Sequence, residues 1–169
     1  MKIGVLAGAF DPIHEGHIDF IVSSINKYDL DIVFVLIENG SIHKKIFASY
    51  EDRKKMIEIA INGNKKISIY ETSAKTFPIS NCLPEIKIQN PKSKIYLLIG
   101  SDVAEHITEW DGAKELLKEI ELIVAKRGGG AKERLIRSGE IRDRIKNNIK
   151  PNGLSPEVLQ HIQQNRLYL

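Results

Sequence analysis

Two histidines three residues apart, His14 and His17, are the residues in this chain whose types and spacing point most directly to chemistry. Imidazole nitrogens donate hydrogen bonds to anions, so a close pair of them can bind one phosphate group. Gly16 lies between them and would let a bulky ligand approach the backbone. An ordinary surface loop can also contain two histidines, so the pair alone leaves both interpretations open.

The flanking sequence favours a phosphate site. Ile3–Leu6 is a short apolar run typical of a buried strand, and residues 16–26 have the apolar spacing of a helix. The histidines therefore lie where a strand turns into a helix, and a helix N-terminus offers unpaired N–H groups and a partial positive charge. Asp11-Pro12 restricts the shape of the turn that carries them.

Short β-branched segments alternate with longer helical patterns along the chain. The predicted strands are Ile3–Leu6, Asp31–Ile37, Lys66–Tyr70, Lys94–Ile99 and Glu121–Ala125. The predicted helices are Gly16–Tyr28, Tyr50–Asn62, Gly112–Lys118, Ser138–Asn147 and Ser155–Gln164, the last with Ser155 as N-cap. This alternation predicts an α/β fold, a Rossmann-like parallel sheet with helices on both faces, in a single domain over residues 1–169. Such sheets bind ligands beyond the carboxyl ends of their strands, where His14 and His17 are expected to lie.

The composition is typical of a compact enzyme. The chain has 169 residues, of which 42% are hydrophobic and 28% charged, and this length suits one domain with a sizeable core. The single Cys82 excludes a disulfide framework within the chain, and we expect a cytoplasmic protein with no membrane span. A net charge of +3 is too small to indicate nucleic-acid binding, but it suits anionic small molecules.

Several common catalytic motifs are missing from the sequence. It has no Gly-x-x-x-x-Gly-Lys-Ser/Thr segment and no Gly-x-Gly-x-x-Gly after the first strand. It also lacks the nucleophile elbow of acyl-transfer enzymes. These absences argue against a P-loop kinase, a standard dinucleotide dehydrogenase and an acyl hydrolase.

Residues Gly8–His17 read Gly-x-Phe-Asp-Pro-x-His-x-Gly-His. This segment resembles the signature of the His-x-Gly-His nucleotidyltransferases and, among them, of the nicotinate-nucleotide adenylyltransferase family. The resemblance runs through almost the whole chain, including His43-Lys44-Lys45, Ile99–Asp102 and Trp110. It ends at Ile136–Arg142, which is similar to the family's second motif, usually Ile-Ser-Ser-Thr-x-Ile-Arg.

The resemblance implies transfer of AMP from ATP to nicotinate mononucleotide, with release of pyrophosphate, in NAD biosynthesis. The protein's partners would be ATP and a mononucleotide. Its cofactor would be Mg²⁺ carried by the ATP phosphates, without a metal site built from protein side chains. Whether the protein forms a homo-oligomer stays open. One alternative is another acceptor such as phosphopantetheine, although that family usually has threonine where His14 stands. A second alternative is a catalytically weak paralogue that binds nucleotide as a sensor.

The resemblance also assigns roles to individual residues. The catalytic residues would be His14, His17 and Lys44. The residues in contact with ATP would be Gly8, Ala9, Phe10, Asp102, Ser138 and Arg142, and the pyridine ring of the acceptor would stack on Trp110.

Spacing alone supports a structural interpretation for four of these residues. Lys44 would be a solvated surface lysine, and Ser138 a helix N-cap. Asp102 would lie at a helix start whose N-cap is Asp102 itself or Ser101, and Trp110 would be a buried core indole. The structural and functional roles are compatible for Asp102. For the others, the residues themselves leave the choice open.

Two segments depart from the family's pattern. Arg137 and Gly139 stand where the second motif usually has serine and threonine, so two hydroxyl donors are missing. Pro78–Leu83 stands where the family usually carries Tyr-Thr-x-Asp-Thr-Leu, which helps to hold the nicotinate group. The sequence thus predicts adenylyl transfer and leaves the identity of the acceptor open.

Overall fold

Parallel strands form the centre of the structure. The computed structural model describes residues 1–38, 45–72, 79–109, 112–125 and 136–169. Its strands are β1 (Lys2–Gly8), β2 (Ile32–Ile37), β3 (Ile67–Ile69), β4 (Lys94–Gly100) and β5 (Ile120–Ala125). They form a five-stranded sheet in the order β3-β2-β1-β4-β5, and every paired neighbour is parallel. The predicted parallel sheet is confirmed, with strand ends within two residues of the prediction.

Helices connect the strands. In the described ranges they are α1 (Glu15–Tyr28), α2 (Tyr50–Ile61), α3 (Ile79–Gln89), α4 (Ser101–Ala104), α5 (Ala113–Glu119), α6 (Ser138–Lys146) and α7 (Pro156–Gln164). The oxygen of Ser155 accepts a hydrogen bond from the Val158 N–H at 3.3 Å, which confirms the predicted N-cap of α7. None of these helices combines the length and the apolar character needed to cross a membrane.

The predicted set of helices did not include α3. Pro84 lies inside it, and proline lacks the N–H that an interior helical residue donates. The helix forms nonetheless because Cys82, Leu83 and Ile86 are buried against the sheet. Tertiary packing here outweighs the local preference of the sequence.

Two apolar cores cover the two faces of the sheet. Successive strand residues point to opposite faces, so Ile95 and Leu97 of β4 belong to one core and Tyr96 and Leu98 to the other. The first core also contains residues of α3, and the second contains residues of α1, α2 and α7. The predicted covering of both sheet faces by helices is confirmed.

The order of the strands places the end of β1 at a switch point. The chain runs from β1 to β2 and β3 on one side and then returns to β4 on the other side of β1. Connections that leave the sheet in opposite directions open a crevice beyond the carboxyl ends of β1 and β4. The segment with both histidines follows β1 directly.

Candidate active site

Residues 9–14, here called the histidine loop, connect β1 to α1 at this switch point. The Asp11-Pro12 peptide bond is cis, and Phe10 has a φ of 48° in the left-handed region. The Phe10 ring is buried and meets the His17 ring edge-on, with 5.2 Å between centroids. Phe10 therefore supports the His17 imidazole from the core side of the loop.

The two histidine rings stack on one another. Their centroids are 3.7 Å apart with an angle of 21° between the planes, and His14 is the N-cap of α1. A side-chain carbon at Gly16 would lie 3.2 Å from His14 Nδ1. The space that glycine leaves is therefore taken by the His14 ring itself, whereas the sequence suggested room for a ligand. This explains chemically why a residue without a side chain separates the two histidines.

The hydrogen bonds of the pair define which ring nitrogen of His17 carries the proton. The His14 backbone N–H donates to His17 Nδ1 at 3.3 Å. A nitrogen that accepts cannot carry a proton, so the neutral His17 ring has its proton on Nε2 and donates from there. His14 Nδ1 is buried and has no hydrogen-bond partner among the described residues.

Burial keeps both rings uncharged near neutral pH. It lowers the pKa of His14 from 6.5 to about 4. Burial, with a smaller contribution from neighbouring His14, lowers the pKa of His17 well below its ordinary value. The two side chains are thus suited to act as fixed, neutral hydrogen-bond partners for an anion and do not supply full positive charges.

Asp11 anchors the histidine loop. Its buried carboxylate accepts hydrogen bonds from the N–H groups of Phe47 at 2.8 Å and Ala48 at 3.1 Å, and from the Tyr168 hydroxyl at 2.7 Å. Its place before Pro12 in the sequence indicates only a turn residue. Its partners lie 36 to 157 positions away, so local sequence carries no signal for this role.

Arg53 of α2 is a second anchor; it belongs to the family resemblance, but the sequence assigns it no structural role. It is only 1% exposed, and its Nη1 donates to the carbonyl oxygens of Ala9 and Glu38, each at 2.7 Å. It thereby joins the segments that follow β1 and β2. The available signal was its helical spacing with Met56 and Ile57 on the buried face of α2.

The start of α6 contacts the same loop. Ser138 Oγ donates to the Pro12 carbonyl at 2.9 Å, and Arg142 donates to the Asp11 carbonyl. The N-cap of α6 is Arg137, so the N-cap interpretation of Ser138 is wrong. The start of α6 therefore lies against the histidine loop, which itself leads into the N-terminus of α1.

Asp102 lies at the same edge of the sheet, just beyond β4. Its carboxylate folds back over Gly100, where a side-chain carbon would be 2.7 Å from Oδ1. Gly100 is the N-cap of α4 and Asp102 lies in the first turn of that helix, so neither Asp102 nor Ser101 is the cap.

The remaining predicted site residues divide into two groups. Lys44, Trp110 and Pro78 lie outside the described residues. Cys82 and Leu83, from the segment that departs from the family's acceptor motif, are buried core residues of α3.

A family model described as cytidylyltransferase-like matches residues 5–158, which include the histidine loop and α6. The chain belongs to the cytidylyltransferase-like family. The matched residues extend from β1 to α7 and contain all the contacts described above except the one made by Tyr168.

Relatives of this cytidylyltransferase-like chain share one name. Proteins from Bacillus licheniformis and Streptococcus mutans, each called a probable nicotinate-nucleotide adenylyltransferase, are 29% identical to it. Both alignments cover 99% of this chain, with 98% of the first relative and 88% of the second.

Solved structures have the same fold. The Plasmodium falciparum nicotinic acid mononucleotide adenylyltransferase complexed with NaAD superimposes with a TM-score of 0.82 at 22% identity, over 99% of this chain and 97% of its own. The same enzyme complexed with APC gives a TM-score of 0.79 at 20% identity, over 99% of this chain and 96% of its own. At 22% and 20% identity, these two structures show that the fold is shared and no more than that.

Proposed function

We propose that this protein is a nicotinate-nucleotide adenylyltransferase. A phosphate oxygen of nicotinate mononucleotide attacks the α-phosphorus of ATP and forms a new P–O bond. The bond between the α-phosphorus and its bridging oxygen to the β-phosphorus breaks, and pyrophosphate leaves with that electron pair. The products are the dinucleotide and pyrophosphate, so the reaction belongs to NAD biosynthesis. We infer a single catalytic domain over residues 1–169, acting in the cytoplasm.

The stacked histidine pair carries this proposal. In-line transfer at phosphorus needs alignment and hydrogen-bond donors placed where negative charge accumulates. His17 offers a donor at Nε2, because its Nδ1 is occupied by the His14 N–H. The pair lies at the N-terminus of α1 and at the switch point of the sheet, where ligands of such folds bind. Relatives with the same name along almost the whole chain support the same reaction.

The other predicted residues have roles in this proposal that follow the family resemblance. Lys44 contacts phosphate, Asp102 binds the adenosine ribose and Trp110 stacks on the pyridine ring. The backbone of residues 8–10 lines the nucleotide, and Ser138 and Arg142 bind the β- and γ-phosphates in addition to holding the histidine loop.

Magnesium enters this reaction as part of the ATP substrate. In the part of the chain that the structure describes, no group of three or more His, Cys, Asp or Glu side chains is placed to hold a metal ion. We propose that the ion is held by the triphosphate oxygens and needs few protein ligands. When bound, Mg²⁺ neutralises phosphate charge as pyrophosphate forms.

One assay tests the proposal and its alternatives. Pyrophosphate release is measured with ATP and, in parallel, nicotinate mononucleotide, nicotinamide mononucleotide and phosphopantetheine, with folded His17→Ala protein as the blank. We expect the highest kcat/KM with nicotinate mononucleotide. Turnover of phosphopantetheine alone would assign another acceptor. Nucleotide binding without turnover of any acceptor would favour the non-catalytic paralogue.

A further inference from the structure

The segment after α7 turns back towards the histidine loop. Arg166 and Tyr168 have φ values of 51° and 68°, and the N–H of Leu167 donates to the Ile162 carbonyl at 3.0 Å. Leu167 also packs against the core that contains α1, α2 and α7. The turn at the end of α7 and the packing of Leu167 and Tyr168 on the core together define the path of this segment.

At the end of this segment, the Tyr168 hydroxyl contacts the Asp11 carboxylate. The Tyr168 hydroxyl donates to Asp11 Oδ1 at 2.7 Å, and burial, followed by the bond to Asp11, raises the pKa of the tyrosine well above its ordinary value. The hydroxyl therefore keeps its proton and acts only as a donor in this contact. A hydrogen bond from a half-buried phenol to a buried carboxylate is of the strong, charge-assisted type.

The contacts of Asp11 show what this hydroxyl contributes. Oδ2 accepts from the Phe47 N–H and faces the Arg142 guanidinium at 3.8 Å, whereas Oδ1 accepts from the Ala48 N–H and the Tyr168 hydroxyl. Without the hydroxyl, Oδ1 keeps the longer of its two bonds, the one of 3.1 Å to Ala48. The two backbone bonds from Phe47 and Ala48 then hold the carboxylate without its shortest contact, and we expect the loop that leads to His14 to shift.

We propose that Tyr168 is a positioning residue that acts through Asp11 to hold the histidine loop, and with it His14 and His17, in the geometry needed for nucleotidyl transfer. This inference rests on the proposed function. The nearest atoms of the loop to the hydroxyl belong to Asp11, three positions before His14. Tyr168 itself is not assigned any contact with substrate.

The test compares Tyr168→Phe with Tyr28→Phe. The control removes a hydroxyl from a tyrosine at the opposite end of α1, where the Tyr28 ring packs against Tyr96 with 6.3 Å between centroids. Because small misplacements of catalytic groups are costly, we expect Tyr168→Phe to lower kcat roughly 10- to 100-fold while the KM for ATP stays close to the wild-type value. Tyr28→Phe should keep the wild-type kcat.

A double variant tests the route through Asp11. If the hydroxyl acts only on that carboxylate, Tyr168→Phe should cost little more activity in an Asp11→Ala background, which has no side-chain acceptor for it. Additive losses in the double variant would overturn the proposed route. A folded Tyr168→Phe protein with wild-type kcat would overturn the inference altogether.

Imidazole ¹⁵N resonances provide a measurement that does not depend on turnover. We expect the resonances of His14 and His17 to shift in Tyr168→Phe and to stay unchanged in Tyr28→Phe, with both proteins folded at the measuring temperature. Unchanged histidine resonances in Tyr168→Phe would contradict positioning, even if the wild-type protein turned over no acceptor. Absence of turnover together with shifted resonances would overturn the proposed function and retain the positioning role.

Discussion

The backbone N–H of His14 donates to Nδ1 of His17, and this bond joins the two histidines into one unit. It fixes the orientation of the His17 ring and leaves Nε2 as its donor. The stacked His14 ring occupies the space above Gly16, so neither imidazole can turn without moving the other. The geometry of the pair is therefore set by contacts within the protein itself.

Removal of the His17 ring is expected to affect the chemical step. His17→Ala should lower kcat roughly 10²- to 10³-fold, as loss of one preorganised donor does. His17→Gln, which returns an N–H donor on a side chain of similar reach, should recover part of this loss. Steady-state kinetics with thermal melting of each variant checks both outcomes. Wild-type turnover by a folded His17→Ala protein would contradict the role of His17.

Burial of His14 predicts that the protein loses stability in mild acid. The unfolded chain takes up a proton near pH 6.5 and the folded His14 only near pH 4, so stability is complete above the first value and falls as pH drops through this range. At about 1.4 kcal/mol per pKa unit, the shift from 6.5 to about 4 corresponds to roughly 3 kcal/mol.

Urea denaturation at about pH 7 and about pH 4.5 measures this loss. In His14→Gln, we expect a clearly smaller difference between the two conditions. His106→Gln is the matched control, because His106 is exposed and paired with Glu109, which raises its pKa. An equal pH dependence in wild type and His14→Gln would exclude His14 as its source.

Substitution of Arg142 distinguishes two roles of this side chain, binding of the triphosphate tail and support of the histidine loop. If it binds the β- and γ-phosphates, Arg142→Ala should weaken ATP binding and leave AMP binding nearly unchanged. If it acts only through its bond to the Asp11 carbonyl, both ligands should lose affinity equally. Calorimetry with ATP and AMP distinguishes the two cases. Lys146→Ala removes a charge from the exposed end of the same helix and serves as the control.

Arg53 is expected to be one of the largest single contributors to stability near the site. Arg53→Met keeps the unbranched apolar stem of the side chain but leaves the carbonyls of Ala9 and Glu38 without this donor. We expect unfolding free energy to fall by about 2–4 kcal/mol, because buried polar groups that lose a charged partner are costly. Lys55→Met, at an exposed position of the same helix, should change the unfolding free energy by less than about 0.5 kcal/mol. Chemical denaturation of the two variants is the measurement.

Substitutions at Gly139 test what its departure from the family's second motif does to the protein. A side-chain carbon there would lie 3.8 Å from the Arg142 guanidinium, an ordinary contact, so Gly139→Ala should stabilise the protein by about 0.5–1 kcal/mol. Gly139→Thr should also lower the KM for ATP if the missing hydroxyl binds phosphate. Gly153→Ala is the contrasting variant and should destabilise, since Gly153 has a φ of 81° and a side-chain carbon would lie 2.6 Å from Ile136. Thermal melting ranks the variants.

The sequence was sufficient to predict the strands, most helices and the position of the histidine pair. Apolar runs such as Ile3–Leu6 and the N-cap Ser155 are local signals, and the switch point follows from the order of parallel strands. Helix α3 was missed because Pro84 interrupts the helical pattern, although Cys82 and Ile86 have the spacing of a buried face.

The support of the site could not be predicted in the same way. Asp11 looks like a turn residue, and its bonds to Phe47, Ala48 and Tyr168 appear only when distant segments come together. The neutral state of the histidines is also a tertiary property, because it results from burial of the rings. Motif spacing therefore locates the histidine pair, whereas packing determines the charge and orientation of the two rings.

The contacts that hold the histidine loop also bear on when the site can form during synthesis. Both histidines leave the ribosome early, but Ser138, Arg142 and Tyr168 bond to residues of the loop that precede them by 126 to 157 positions. A nascent chain that ends before α6 contains both histidines and none of these three anchors. We expect the protein to reach its nucleotide-binding form only after α6 and α7 have emerged and docked, so that elongation itself delays binding of ATP by incomplete chains.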